Sequence, residues 1–322
     1  MRAVVFTGAG GPEVMQVVER PDPEPTASEV LVAQTHAGLN PADLAQRAGR
    51  YPAPPGSPPD IPGLEVSGTV IACGSAVRDW QVGDRVFGLV GGGGLADRVV
   101  VYERHVAAVP DRLDAAQAAA VPEAFITAHD AAFTQAGLAP GELFLVNGAS
   151  GGVGTAGVQL AVATGASVLA NARSATAVDR LAELGAEPVT NDNVVDRAKE
   201  LGGVDVVLEL VGAPNVPLDI EVLRMQGRIM IVGTGAGTDA DLSLRGLMSK
   251  RASIRGTMLR ARPLEQKAVA VQAFAHSVVP LLADGRLQPI VDRVFPIERA
   301  VEAFDYLAAP GKFGKVLLEF PA

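Results

Sequence analysis

The sequence predicts an α/β protein in which a doubly wound parallel sheet is carried within a mostly β domain. Three observations predict it. An apolar run, Leu143–Asn147, enters the glycine cluster Gly148-Ala-Ser-Gly-Gly-Val-Gly154, and a helix-like run, Thr155–Thr164, leaves it. From Glu142 onward, strand-like and helix-like segments alternate as in βαβ units. Before Ala115, short β-like runs are punctuated by Gly and Pro, and helical pattern is scarce.

Taken in order, Met1-Arg-Ala-Val-Val-Phe-Thr-Gly8 reads as a first strand rather than a secretion signal. Val30–Ala37, Gly68–Ala72, Asp84–Phe87 and Leu95–Val101 are the next β-like runs, and Ala-rich helical sequence begins at Ala115–Phe133. Leu143–Asn147 is followed by strands expected at Ser167–Asn171, Pro188–Thr190, Val204–Leu210, Arg228–Val232 and Ser253–Gly256, with a helix at Ala175–Leu184. Six strands suit the two mononucleotide halves of a doubly wound sheet. The tail holds a helical stretch, Leu264–Ala283, and a final strand, Val316–Phe320. It is thin for an independent domain, so it is expected to return and complete the N-terminal one.

Composition excludes several classes. With 322 residues, 48% of them hydrophobic, the chain can bury two cores, and no apolar run approaches the ~20 residues of a membrane span. A net charge of −9 argues against a nucleic-acid partner, which needs basic stripes. The single cysteine, Cys73, forms no internal disulfide and no thiolate zinc cage, and the expected compartment is the cytoplasm.

The strand–glycine–helix order turns backbone N–H groups toward a pyrophosphate. Ser150, Gly151, Gly152 and Val153 are expected to line it, and Gly154 to allow helix–strand packing. Loops after later strands, Leu210-Val211-Gly212 and Val232-Gly233-Thr234, are expected to border a nicotinamide ring. At the turn after the second strand, where an acid would select NAD, the sequence is Asn171-Ala-Arg173-Ser174. A guanidinium and a hydroxyl suit the 2′-phosphate of NADPH, so NADPH is the expected cofactor. The alternatives are a solvated loop charge for Arg173 and a helix N-cap for Ser174. The second cluster, Gly91–Gly94, precedes a strand and is expected to be a flexible loop. Tyr51–Pro62 carries six prolines and is either a surface linker or a stiff loop that fixes Tyr51. Lys315 and Arg260 or Arg262 are candidates to approach the phosphates or the substrate. Asp43 and Glu65 read as partners of nearby arginines.

Four collinear motifs carry a family resemblance: Asn40-Pro-Ala-Asp43, Val82-Gly-Asp-Arg-Val-Phe-Gly88, Glu123-Ala-Phe-Ile-Thr-Ala128 and Asn147–Gly154. Together they resemble the zeta-crystallin-like quinone oxidoreductases, a zinc-free branch of the medium-chain dehydrogenase/reductase superfamily. The segment Gly256-Thr-Met-Leu-Arg-Ala-Arg262, with Phe313-Gly-Lys-Val316, is similar to the branch of the tumour-suppressor-induced quinone reductase. The resemblance implies a GroES-like catalytic domain, here 1–123 plus 264–322, with a Rossmann domain, 124–263, inserted in it. It also implies a homodimer, or a tetramer of dimers, and a cleft shared by cofactor and substrate. Two departures stand out. Ala177 lies where many relatives have a lysine, and Asn191-Asp192 replaces their Asn-Tyr.

Zinc enzymes of that superfamily carry a catalytic cysteine where Asn40 stands, and Gly-His-Glu where Gly63-Leu-Glu65 stands. His36, His105, His129 and His276 show no ligand spacing, so no metal is expected. Without a Lewis acid to polarise a carbonyl, the acceptor must itself be electrophilic. A quinone fits best. An enone, haloacrylate or enoyl thioester fits next, and a non-enzymatic nucleotide-binding, crystallin-like role is the further alternative. Tyr51 resembles the family's active-site tyrosine, with two roles open: hydrogen-bond or proton donor to the acceptor oxygen, or wall of the cleft. Asn40 is expected at the nicotinamide ribose or the substrate, or as a turn residue before Pro41. Thr127 is expected at the nicotinamide end, or in helix packing.

Overall fold

Runs of Val, Leu and Ile that are buried on both faces build a parallel sheet in residues 127–258. Leu143–Asn147 and Val204–Glu209 are buried at every position, as central strands of such a sheet must be. The computed structural model describes residues 1–172 and 175–321, in two units: 1–126 with 259 onward, and 127–258. The boundaries expected at 123/124 and 263/264 fall at 126/127 and 258/259.

In the second unit the strands lie in the order Glu187–Val189, Ser167–Asn171, Leu143–Asn147, Val204–Glu209, Leu223–Ile231, Ser253–Gly256. All neighbours are parallel. By sequence this is third, second, first, fourth, fifth, sixth, the doubly wound order whose reversal point lies beside the first strand. The short strand expected at Pro188–Thr190 is real, one residue earlier.

The first unit is mostly β. Five antiparallel strands run in the order Arg98–Tyr102, Glu29–Ala33, Glu65–Cys73, Arg85–Leu89, Val106–Ala108. A hairpin, Arg2–Phe6 with Met15–Glu19, stands beside them. The tail does return: Lys315–Glu319 pairs antiparallel with His36–Leu39 and parallel with Val291–Pro296. Leu39 faces Val316 in that register, which brings Lys315 beside Asn40.

Three expectations change. The helical stretch Leu264–Ala283 is two helices, Leu264–Ser277 and Val279–Ala283, because Pro280 cannot continue the first. Helix Pro41–Arg47 and strand Val291–Pro296 were not anticipated. Gly91–Gly94 is packed rather than flexible: a Cβ on Gly94 would lie 2.4 Å from the Glu65 carbonyl oxygen, and one on Gly92 3.1 Å from that of Pro58. The glycines let two backbones meet.

A core of Phe6, Leu39, Phe295, Phe304 and Leu318 joins the hairpin, strand His36–Leu39 and the returning tail. Phe304 is fully buried and meets Phe6 edge to face, ring centres 5.8 Å apart. Phe304→Ala is expected to destabilise this unit by about 3–5 kcal/mol, read as a lower denaturant midpoint for its unfolding.

Candidate active site

In the second unit, the turn between strand Leu143–Asn147 and its helix is built from backbone. Gly148 has φ +79°, and helix Gly152–Ala163 starts with Gly151 as N-cap, without a side-chain cap. Its first N–H groups are thus presented in the way that suits an anion. A Cβ on Gly151 would meet only the Gly148 oxygen, at 3.6 Å, whereas one on Gly154 would lie 2.4 Å from that oxygen and 2.7 Å from Ala149. Gly154 is therefore a packing glycine and Gly151 borders open space. The open space at Gly151 and the uncapped helix start suit an anion such as a dinucleotide pyrophosphate. Thr127 is buried in the short helix Thr127–His129, which packs against the phosphate helix. Arg173 and Ser174 lie outside the described residues.

The two later loops are knitted together. Gly212, at φ +120°, leaves no room for a Cβ, which would lie 2.8 Å from the Thr234 Cα. Gly233 sits equally tightly on the Leu210 carbonyl oxygen, at 2.2 Å. Ala236 N–H donates to the Val211 oxygen at 2.9 Å and Ala213 N–H to the Gly237 oxygen at 3.1 Å. Beneath them lies a network that was not read from the sequence. Buried Glu209 accepts from Val211 N at 2.5 Å and Gly212 N at 2.6 Å with Oε1. Its Oε2 accepts from Asn147 Nδ2 at 2.7 Å and Asn215 Nδ2 at 3.1 Å. Asn147 Nδ2 also donates to Asp219 Oδ1 at 2.7 Å, and Asn171 Nδ2 donates to Asn147 Oδ1 at 2.9 Å. Two buried carboxylates cannot both ionise so close together. Glu209 gathers four N–H donors. Burial and the Glu209 charge push the Asp219 carboxyl well above its usual range, and its Oδ2 faces no donor. The proton sits on Asp219.

In the first unit, a buried polar cluster centres on Asn40, the residue before helix Pro41–Arg47. Asp43 caps that helix: Oδ2 accepts from Asn40 N at 2.8 Å and Oδ1 from Gly63 N at 3.1 Å. Burial pushes the Asp43 carboxyl up to about 6, against the pull of the Asn40 donor and of Lys315. Asn40 Nδ2 donates to Glu65 Oε1 at 2.8 Å. Lys315 Nζ donates to Asn40 Oδ1 at 2.7 Å, Glu65 Oε1 at 2.6 Å and the Leu39 oxygen at 3.0 Å. Glu65 Oε2 accepts from Glu123 N at 2.8 Å. Gly38 leaves the space for that carboxylate, since a Cβ there would lie 2.2 Å from Oε1. An ammonium thus faces Asn40 and Glu65, the two positions that match the zinc enzymes' motif. Two expectations are corrected. Lys315, 4% exposed, has its charge met by Glu65 rather than turned to a phosphate. Glu65 is paired with this lysine and Asp43 with backbone, neither with an arginine.

Tyr51 is half-buried, and its proline-rich loop is pinned rather than free. Phe6 N–H donates to the Asp60 oxygen at 2.8 Å, Gly93 N–H to Ile61 at 2.8 Å and Leu95 N–H to Pro62 at 2.9 Å. Arg260 is buried against this loop, its guanidinium carbon 4.9 Å from the Tyr51 ring centre, so it is not offered to a phosphate. Among the described residues, no group of three or more His, Cys, Asp or Glu side chains is placed to hold a metal ion.

Comparison with known proteins gives the family. A model of the alcohol dehydrogenase GroES-like domain matches residues 26–111, and one of zinc-binding dehydrogenases matches 152–275. A quinone oxidoreductase of Sus scrofa is 33% identical over 327 residues, covering 99% of this chain and 97% of its own length. The chain belongs to the quinone oxidoreductase family. Among solved structures, the quinone oxidoreductase of Thermus thermophilus, determined also in complex with NADPH, is 36% identical with a TM-score of 0.86, covering 99% of this chain and 100% of that one. The CurK enoyl reductase is 27% identical with a TM-score of 0.86, covering 99% of both chains.

Two predictions follow from the buried charges. Lys315→Met leaves Glu65 buried without its cation and is expected to cost about 3–5 kcal/mol of stability. Adding Glu65→Gln to that variant recovers most of the loss, measured by equilibrium denaturation. Asp219 holds a proton in the native state that the unfolded chain releases in the ordinary carboxylate range. Its contribution to stability therefore falls as pH rises from that range to the raised native value, and is flat above it. Asp219→Asn is expected to remove this decline from a series of unfolding curves taken across pH.

Proposed function

We propose that this chain is an enzyme that transfers hydride from NADPH to a quinone without a metal ion. The observation that carries the reading is the buried ammonium of Lys315, which donates to both Asn40 and Glu65. A protonated lysine has three donors and no acceptor, so it is a fixed cation and cannot act as a ligand. The acceptor must then take hydride without Lewis-acid help, and quinones do so because the added charge spreads over a conjugated ring. The family's quinone oxidoreductases, one of them solved with NADPH, support the same reading.

A reduced nicotinamide, when bound, supplies the hydride. Ser150, Gly151, Gly152 and Val153 hold the pyrophosphate by backbone donors. Val211, Gly212, Gly233 and Thr234 form the rim for the nicotinamide, kept rigid by Glu209, and Thr127 supports the same end. Asn40, its amide fixed on both sides by Lys315 and Glu65, retains one N–H and one lone pair for the nicotinamide ribose or the substrate. Tyr51 donates the proton that the reduced acceptor needs. Selection of NADPH over NADH rests on Arg173 and Ser174, after a strand that ends at Asn171 without a carboxylate. Reduction of an activated double bond is the second reading, favoured by the likeness to the CurK enoyl reductase.

The proposal includes a cytoplasmic homodimer. The short sheet-edge strand Ser253–Gly256 and the exposed Leu244 and Met248 support pairing of two copies. The single cysteine is exposed and free, as suits a reducing compartment. Among the described residues, no helix is long and apolar enough to cross a membrane.

Consumption of NADPH, followed by absorbance with an ortho-quinone, a para-quinone and an enoyl thioester in parallel, tests the reading. Turnover is expected to be fastest with a quinone, and NADPH to bind more tightly than NADH. Tyr51→Phe is expected to lower kcat by about 10²-fold with little change in NADPH affinity. Reduction of the thioester alone, or equal binding of NADH, contradicts the proposal.

A further inference from the structure

We propose that Arg260 is a positioning residue for Tyr51: it fixes the tyrosine's loop and sets a permanent positive charge over the ring from which the proton leaves. The inference rests on the reading of Tyr51 as proton donor in the proposed reaction.

Arg260 is 6% exposed, which is rare for a guanidinium unless its charge is used. Its hydrogen bonds join three segments. Nη1 donates to the Tyr51 carbonyl oxygen at 2.9 Å, Nε to that of Gly91 at 2.7 Å, and Nη2 to Gln46 Oε1 at 2.5 Å. All three acceptors are neutral. Its own carbonyl accepts from buried Lys267 Nζ at 2.9 Å, which locks the backbone that carries it and adds a second positive group nearby. Its charge is felt by Asp43, Tyr51 and Glu123.

The guanidinium carbon stands 4.9 Å from the centre of the Tyr51 ring. A cation over an aromatic face attracts a neutral phenol weakly and a phenolate more strongly, because the phenolate's charge spreads into the ring. Burial pushes the Tyr51 phenol up, Arg260 pulls it back, and Glu123 pushes it up further. In the proposed reaction the acceptor gains two electrons and one hydrogen as hydride, which leaves an anionic oxygen. The Tyr51 O–H bond then breaks, the acceptor O–H bond forms, and the phenolate remains beneath Arg260 until water returns the proton. Arg260 touches neither substrate nor cofactor in this scheme. It acts through the ring and through the carbonyls of Tyr51 and Gly91.

The test is an absorbance titration of tyrosine ionisation in the full chain, without coenzyme or quinone. The chain has three tyrosines, and the difference between the unmodified protein and Tyr51→Phe isolates the Tyr51 component. Arg260→Met is expected to move that component to higher pH, and Arg260→Lys, which keeps the charge but loses the fork, to move it less. In turnover, Arg260→Met is expected to lose about tenfold in kcat, with partial rescue in Arg260→Lys. No further loss is expected when Arg260→Met is added to Tyr51→Phe. If Arg260→Met does not fold, Arg260→Lys carries the comparison through its kcat loss, which must vanish in the Tyr51→Phe background. A Tyr51 component that stays in place in folded Arg260→Met, or losses that simply multiply in the double variant, overturns the inference. Because the titration needs no acceptor, its failure falls on Arg260 alone, whereas absence of turnover in the unmodified chain falls on the proposed reaction.

Discussion

The buried contact between Lys315 and Glu65 is the constraint on which the first unit of this protein depends. An ammonium and a carboxylate, both nearly sealed from water, are tolerated only when each has further partners. Those partners are Leu39, Asn40 and the backbone of Glu123. The contact therefore joins the returning tail, the start of the first helix and a strand of the antiparallel sheet. It also dictates the direction of the Asn40 amide, whose oxygen must face the ammonium and whose nitrogen must face the carboxylate.

The dinucleotide half is organised on the opposite electrostatic principle. There the chain buries negative charge, Glu209 with Asp219, and uses it to hold the backbone donors of Val211 and Gly212. The two carboxyls coexist because one keeps its proton, and three asparagines, Asn147, Asn171 and Asn215, connect them to neighbouring strands and loops. The rim formed by these loops is held by carboxyl groups that do not reach the surface.

Much of this was legible in the sequence wherever cause and effect are close along the chain. The strand Leu143–Asn147, the glycines and the following helix are one local signal, and the six strands follow from apolar runs between Gly and Pro. Helix Pro41–Arg47 carried a readable start signal, Asn40, Pro41 and Asp43, that a search for longer apolar periodicity passes over. Other features had no local signal. Lys315 meets Glu65 and Asn40 only because antiparallel pairing sets Val316 against Leu39. Arg260 reaches Gln46, Tyr51 and Gly91 across most of the chain. Gly91–Gly94 looked flexible because its packing partner is the proline loop thirty residues earlier. The network beneath the rim has only a weak local signal, Asn147 and Glu209 as polar ends of apolar strands. The turn that bears on cofactor choice, Arg173-Ser174, was read from the sequence alone and lies outside the described residues.

We propose that this chain reduces quinones without a metal, with the buried Lys315 ammonium paired to Asn40 and Glu65. Elemental analysis of chelator-treated protein, paired with its NADPH-dependent turnover of a para-quinone, tests it most directly. The account predicts undiminished turnover with far less than one zinc per chain. Turnover that disappears on chelation and returns in proportion to zinc bound would contradict it.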